Sequence, residues 1–573
     1  MSLSRMNKSP SRLHVPESQS SSLMADNESR FHDLPPRTRT LTQQSSSAFP
    51  SATTLAHGEE DIHIPHEPML TAKDSESRPP APPPPNDPDE ITWDGPEDQQ
   101  NPQNWSDGRK WLITAAVVLM ATNVTFASSA PTSAVQVIRA HFHLSAEVSY
   151  LITFTFLMGY VLGPFVWGPG TELIGRRPIL VLAMSLYTLL HIPQALAPNI
   201  QTLLTTRFLC GFFGVAPLVA GGSVLSDVWS AEQRGLPVAL FTASVFMGPV
   251  LGPIVAGFIV DSGSLTWHWV FWVGMMFAGA CTLFTAICIP ETYAPVLLLR
   301  KVREQRRVDP EGSKRLYAAH EKQDWSAWGI VKRTLFRPFI MLSEELILVL
   351  VTIYISIIYG VLYMLFEAFP IIFIEKHGFT ITQNGLVFIG VGIGTFLGAV
   401  SSHFLATDYP QLIKIWRGFP PAEERLRAGM LGAPIFVIGI FWLGWTGEYA
   451  SIPWYVPALS TIPVGFGISA IFISFLSYLI DTYLMYAASA FAANTFARSL
   501  VAAGFQLFTV QMFDKMGVGY ACTLLGGVGL LLAPMPFLFF RYGARLRKGS
   551  RWAPGLDLRI KQQIEEEKIQ IAV

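Results

Sequence analysis

The sequence carries little charge. Asp, Glu, Lys and Arg make up 14% of its 573 residues, while 50% are hydrophobic; soluble domains carry roughly 25% charge. That deficit points to lipid as the surrounding solvent. The net charge of −1 leaves no basic field to attract nucleic acid. Cysteine is also scarce. Cys210, Cys281, Cys288 and Cys522 lie in apolar runs without metal-ligand spacing, and they read as reduced packing residues. There is no GxxxxGK[ST] phosphate loop, which argues against a primary ATP-driven pump. No catalytic triad or metal cluster occurs either, so neither an enzyme nor a cofactor is expected. The N-terminus lacks an apolar h-region, and no cleavable signal peptide is expected.

What the sequence does have is long apolar runs, with a mean hydropathy of +0.35. A helix needs about 20 apolar residues to cross a bilayer. Twelve candidate spans meet that need: 111–130, 147–167, 179–198, 203–225, 237–260, 268–290, 339–366, 383–405, 430–447, 454–479, 488–512 and 519–540. They form two sets of six around a charged stretch, 291–338, which is a repeat at the level of hydropathy. The expected fold is therefore an all-α integral membrane protein with twelve transmembrane helices in two pseudo-symmetric six-helix halves. Its expected parts are a disordered arm over 1–104, halves over 105–290 and 339–541, a linker over 291–338 and a tail over 542–573. The arm is rich in Ser, Pro and His and ends in "RPPAPPPPNDPDE", a composition that buries too little surface to offset its ordering entropy.

Short-loop Lys and Arg set the orientation. One side collects Arg176, Arg177, Arg234, the linker, Lys414, Arg417, Arg425, Arg427 and the tail's Arg541, Arg545, Arg547 and Lys548; the other has little beyond Arg139, Lys376 and Lys515. Both termini are expected on the cytoplasmic side. The sequons at Asn27, Asn104 and Asn123 then fall on the cytoplasmic side or inside a span, and read as accidental.

The loop between spans 2 and 3 reads "GPGTELIGRRP". Gly168, Glu172, Gly175, Arg176 and Arg177 stand at the spacing of the loop signature of the major facilitator superfamily, which the stretch resembles. Glycines let helix ends approach closely, and an acid near a helix end can hold an arginine while one mouth is shut. The loop is thus either such a latch or an ordinary positive-inside turn. The family's pattern suggests Asp227, at the inner end of span 4, as a partner of Arg176 or Arg177. Asp481, at the inner end of span 10, is the corresponding latch candidate in the second half.

Further stretches extend the resemblance. "RFLCGFFGVAP" places Arg207 four residues before Gly211, as a second signature of the family does, with Cys210 where Gln is frequent. An arginine inside a span costs about 2.5–3.5 kcal/mol on insertion scales, so Arg207 should either face a wet cavity or a partner, or snorkel to the outer interface. "GPVLGPIVAG" in span 5 (Gly248, Pro249, Gly252, Pro253, Gly257) resembles the exporter signature; the alternative is a plain packing face. "ITWDGPEDQQNPQNWSDGRKW", "PETYAPVLLLRK", "IYGVLYMLFEAFPIIF" and "YAASAFAANTFARSLVAAGFQLF" are similar to the fungal twelve-span drug:proton antiporters. The resemblance covers roughly residues 92–548.

Candidate cavity and proton-coupling residues are the polar groups inside spans. In span 7, Ser356, Gly360, Tyr363 and Glu367 recur at helical spacing. Glu367 is either a titrating carboxyl or an idle acid at the outer interface. Asn494 and Arg498 share a face of span 11, and Ser474, Tyr478 and Asp481 a face of span 10. Asn123, between Thr122 and Thr125, is the candidate in span 1. The aromatics Tyr354, Tyr359 and Phe505 suit bulky apolar cargo or lipid equally.

Three functions remain open. One is a proton-coupled exporter of drug-like, toxin or secondary-metabolite molecules, working by alternating access. A second is a polyamine or small-molecule carrier acting in uptake or vacuolar sequestration. The third is a non-transporting sensor built on a carrier scaffold. The first implies a small-molecule substrate, protons and the bilayer as partners, a monomer, and the plasma membrane, with the vacuolar membrane as the alternative.

Overall fold

The computed structural model describes residues 89–95, 97–230, 232–322, 326, 328–329, 335–553 and 555–572. The expected arm up to residue 88, Asn27 included, lies outside the described residues. Ten helical runs are long and apolar enough to cross a membrane, and the pair Ala146–Leu162 and Pro164–Leu173, bent by 40°, adds an eleventh. The run Ala487–Lys548 is broken at Gly517 (φ 78°, ψ 164°). Phe496 meets Phe339 before the break, Gly519 meets Glu448 just after it, and Arg547 reaches Glu423. Glu423 and Glu448 flank opposite ends of the helix Arg427–Gly447, so the chain goes out and returns. The described helices are thus consistent with twelve passes.

Spans 1 to 6 are Asp107–Ser129, Ala146–Leu173, Arg176–Ala195, Ile200–Val228, Gly235–Asp261 and His268–Cys288. Spans 7 to 10 are Leu346–Phe369, Ile381–Phe404, Arg427–Gly447 and Tyr455–Tyr483, and spans 11 and 12 are 487–516 and 518–548. Span 7 begins later than its hydropathy suggests. Residues 337–344 form a separate helix, and Glu345 follows with an extended backbone (φ −99°, ψ 101°). Two adjacent glutamates are costly inside a bilayer, which places the break there. Leu283, Ile287 and Leu531 are 64%, 73% and 80% exposed. In water such exposure would be a liability, whereas against acyl chains it is neutral.

The two sets of six meet along paired spans. Span 5 packs on span 8 and span 2 on span 11. On spans 1 and 7, the Ser128 and Tyr363 hydroxyls lie 3.0 Å apart. At the Arg-rich (basic) end, Phe165, Phe339 and Phe496 stack at 5.1–5.6 Å. The two halves thus touch towards both ends of the bundle.

The last part of the expected disordered arm is ordered. Ile91 N–H donates to the Tyr317 carbonyl, and Lys301 sits 2.7 Å from Asp94 and 3.6 Å from Asp98. Lys301 belongs to a linker helix, Ala294–Val308. The acids of "ITWDGPED" therefore find basic partners that composition alone does not reveal. The tail is tied down too: Arg547 bonds both Glu423 and Asp557.

At the opposite end, Glu448 binds Lys376 (2.8 Å) and the Gly519 N–H (2.7 Å). Partial burial opposes ionisation, but the ammonium and the N–H outweigh it and hold this carboxyl below its ordinary range. A depressed folded-state pKa contributes stability above the unfolded value, lost as pH falls through the folded one. Glu448→Gln should therefore lower the melting temperature slightly at pH 7, by about 0.5–1 kcal/mol of stability. In melts recorded stepwise down to acid pH the difference should vanish below the carboxylate range.

Candidate functional site

The span 7 stripe faces inward. Gly360 lies against the Phe505 ring, and Ser356 Oγ is buried without a partner. Tyr363 OH lies 3.5 Å from Tyr359 OH, and the Tyr363 carbonyl accepts from Gln506 Nε2 at 2.6 Å. Glu367, one turn on, is 9% exposed. No hydrogen bond or ion pair to it occurs among the described residues, and Tyr150 of span 2 lies within its electrostatic reach. It is a carboxyl without a counter-ion at the seam between the halves.

Asn494 donates to Thr352 Oγ1 at 3.3 Å, leaving its own oxygen unpartnered. One turn further along span 11, Arg498 is 8% exposed, with its Nε buried and unbonded. Its guanidinium lies 5.2 Å from the Tyr359 ring and 4.9 Å from the Phe472 ring. Phe472 meets Phe246 of span 5 at 4.9 Å, and Tyr160 of span 2 is within electrostatic range of Arg498. Four spans from both halves thus wall an aromatic chamber around one cation. Two cation–π contacts return about 0.5–2 kcal/mol each, while an uncompensated buried charge costs about 3–5 kcal/mol. The charge is left under-compensated.

Arg207 does not snorkel. It is 1% exposed and donates to three carbonyls: Ala127 (2.7 Å), Ser128 (3.2 Å) and Ile152 (3.1 Å). Pro131 has no N–H for the carbonyl four residues back, that of Ala127, and the tighter 3-10 turn Ala130–Ala134 shifts the ladder past Ser128. Arg207 supplies the missing donors. Its neighbour His191, in span 3, escaped the sequence reading. His191 Nδ1 bonds the Tyr187 carbonyl, its Nε2 has no partner, and with Arg207 it lines a cavity of about 10 Å³. A histidine inside an apolar run was the signal available. Asn123 is fully buried with both amide atoms unpartnered, and its carbonyl accepts from Tyr187; no hydrogen bond joins it to span 7.

At the basic end, Arg176 Nε lies 3.2 Å from Asp227 Oδ2, and Arg176 Nη1 donates to Thr171. Of the two basic residues, Arg176 takes the acid; Arg177 reaches the Ala286 carbonyl instead. Glu172 lies within electrostatic range of Arg176. Glu291, in the stretch after span 6, accepts from the N–H groups of Arg176, Thr292 and Tyr293. It is a cap that sequence reading missed, although an acid directly after an apolar span hinted at it. Gly175 has φ 108°, and a Cβ there would strike the Glu291 carboxylate, so the glycine is required. Nothing presses on Gly168 closer than 3.8 Å. Asp481 forms a separate cluster. It accepts from Arg425 (2.8 Å) and Tyr409, and Arg234 of the first half stands 3.8 Å away.

Span 5's run packs tightly. A Cβ at Gly248 would strike Thr125, and one at Gly252 would strike Ser129, both of span 1, while Gly257 abuts the start of span 8. Pro249 is buried, and the Pro253 carbonyl accepts from Ser133. The four cysteines are free thiols, three of them buried.

The model for the Major Facilitator Superfamily matches residues 113–506. The chain belongs to that superfamily. It is a membrane transporter, not an enzyme. It is 37% identical to the ascochitine biosynthesis cluster MFS transporter of Didymella fabae, over 88% of this chain and 97% of that one. Identity to the citrinin biosynthesis cluster MFS transporter of Monascus ruber is 39%, over 81% and 92%. With a major facilitator superfamily multidrug transporter of Candida albicans it shares 37%, over 82% and 76%. Among solved structures, the proton:xylose symporter XylE is similar in fold, with a TM-score of 0.56 at 18% identity over 76% of this chain and 96% of that one.

Proposed function

We propose that this transporter is a proton-coupled exporter of drug-like, toxin or secondary-metabolite molecules, working by alternating access. The observation that carries the reading is Glu367, a buried carboxyl without a counter-ion at the seam between the halves. Such a group is costly to keep ionised in a dry site and inexpensive to protonate, which suits a carrier that must gain and lose a proton as it cycles. The names of relatives from biosynthesis clusters and of a multidrug transporter support the cargo class. Span 5's close fit against span 1 supports the exporter reading of its Gly-Pro run. The basic end is cytoplasmic with both termini, Arg176–Asp227 and Asp481 act there as latches, and the protein works as a plasma-membrane monomer. Tyr363, Asn123, Asn494 and Arg498 line the path, and Arg207 supports it. A cation rather than a set of acids in the chamber speaks against polyamine cargo.

The test uses host cells stripped of their own exporters and preloaded with fluorescent and toxic compounds. Wild type should extrude them in a protonophore-sensitive manner, and Glu367→Gln should lose that sensitivity with at least about a tenfold drop in rate, general acid–base groups being worth 10²–10⁴ where they act directly. Accumulation of a compound by properly inserted protein would replace export by uptake. Unchanged export by Glu367→Gln would remove Glu367 as the proton carrier.

A further inference from the structure

The chamber holds one permanent charge, which cannot be deprotonated, and it is positive. Arg498 enters from span 11 with its Nε buried and bare, and no carboxylate pairs with it among the described residues. Its guanidinium lies near two neighbouring aromatic rings, 5.2 Å from Tyr359 and 4.9 Å from Phe472, which themselves meet at 5.9 Å. The same two spans carry further buried polar atoms without partners: Ser356 Oγ on span 7, and Ser499 Oγ and the Asn494 oxygen on span 11. Buried guanidinium groups otherwise find a carboxylate, as Arg425 and Arg547 do here, or saturate themselves on carbonyls, as Arg207 does. Arg498 does neither. Its planar fork is suited to gripping two oxygens side by side, and the rings beside it are suited to stacking on a flat apolar body.

We infer that the chamber selects an aromatic organic anion, whose carboxylate or enolate oxygens pair with Arg498 while its ring system lies among Tyr359, Phe472 and Phe246. This specificity rests on the transport reading above but not on its direction. Glu367 is no rival partner for Arg498, because no ion pair joins the two among the described residues. It stands instead within reach of Tyr150, so the proton site and the anion site are distinct. Tyr359 links them through its hydroxyl contact with Tyr363, which leads on to Ser128 of the first half. An anion drawn against Arg498 therefore also lies at the seam that must open for transport.

The experiment uses the full chain in lipid nanodiscs and three matched probes: naphthoate, its methyl ester and naphthylmethylammonium. Equilibrium binding is followed by probe fluorescence. Wild type should prefer naphthoate to the ester by about tenfold or more, the ordinary worth of a charge-assisted contact, and should bind the ammonium weakest. Arg498→Gln should erase the gap between acid and ester by weakening the acid more than the ester, and Arg498→Lys should restore part of it. Equal binding of acid and ester by wild type, preference for the ammonium, or no binding at all would overturn the inference without any variant being made. So would an acid preference that survives Arg498→Gln. The protonophore-sensitive export assay is read separately. Export without acid preference leaves the exporter and removes the anion site, whereas acid preference with accumulation keeps the anion site and removes export.

Discussion

Arg207→Met should lower the thermal stability of the purified protein by about 2–4 kcal/mol, the cost of leaving buried acceptors unpaired. The estimate depends on what a substitution at this position can remove. Exchanging a buried ion pair for apolar residues is often neutral, because both desolvated partners disappear together. Here the partners are the carbonyls of Ala127, Ser128 and Ile152, which belong to the backbone and remain whatever side chain replaces Arg207. Methionine fills much of the volume, so little cavity term is added. Arg207→Lys should recover part of the loss, since one ammonium reaches fewer carbonyls than a three-armed guanidinium. The sharper control is Pro131→Ala. It returns an N–H to the Ala127 carbonyl, so it should soften the Arg207→Met defect, and the two changes should couple by about 0.5–3 kcal/mol in a double-mutant cycle. Melting curves in detergent decide it. Equal melting of wild type and Arg207→Met, or strict additivity with Pro131→Ala, would show that span 1 does not depend on the arginine.

The same residue illustrates what sequence can carry. Its placement inside span 4 was legible, because hydropathy measures the cost of moving a residue into lipid and an arginine in an apolar run stands out. Its partners were not, because they are backbone carbonyls, one of them freed by a proline three spans away in the chain, and backbone atoms leave no mark in composition. The apolar spans were legible for the same reason that Arg207 was conspicuous. Their ends were less so: span 7 starts after Glu344 and Glu345, whereas the apolar run read from hydropathy starts at Phe339. The polar stripe from Ser356 to Glu367 followed from helical spacing, and its inward aim from the price of polar groups in lipid. Arg176 was separated from Arg177 as the partner of Asp227 only by geometry. Glu291 and Asp98 were read as parts of flanking motifs, yet each is held by chain segments far off in sequence. Spacing rules reach one helix turn, whereas these contacts are set by how loops fold back at the basic end.

Asp481→Asn and Arg234→Ala should separate stability from gating, although the two residues face each other. Asp481 is held chiefly by Arg425 at 2.8 Å and by the Tyr409 hydroxyl, all within the second half. Neutralising it strands the largely buried Arg425 charge, and breaking such a pair costs about 3–5 kcal/mol. Arg234 stands farther off, at 3.8 Å, with its side chain 29% exposed. Water screens that contact, so losing it should cost at most about 1 kcal/mol and leave the melting temperature nearly unchanged. Yet Arg234 belongs to the first half and Asp481 to the second, so in the proposed alternating-access cycle their attraction exists only while the basic end is shut. A change of about 1 kcal/mol acting on one state alone shifts the ratio of shut to open roughly fivefold. A cysteine placed at Phe496, within the aromatic plug formed with Phe165 and Phe339, reports that opening through its reaction with a water-soluble maleimide. Arg234→Ala should raise the reaction rate about fivefold at an unchanged melting temperature, whereas Asp481→Asn should lower the melting temperature steeply. A rate unaffected by Arg234→Ala would mean that the shut state is held by the packing between the halves, such as span 2 on span 11, without help from the ion pair. The ion pair would then be a passive neighbour of the gate.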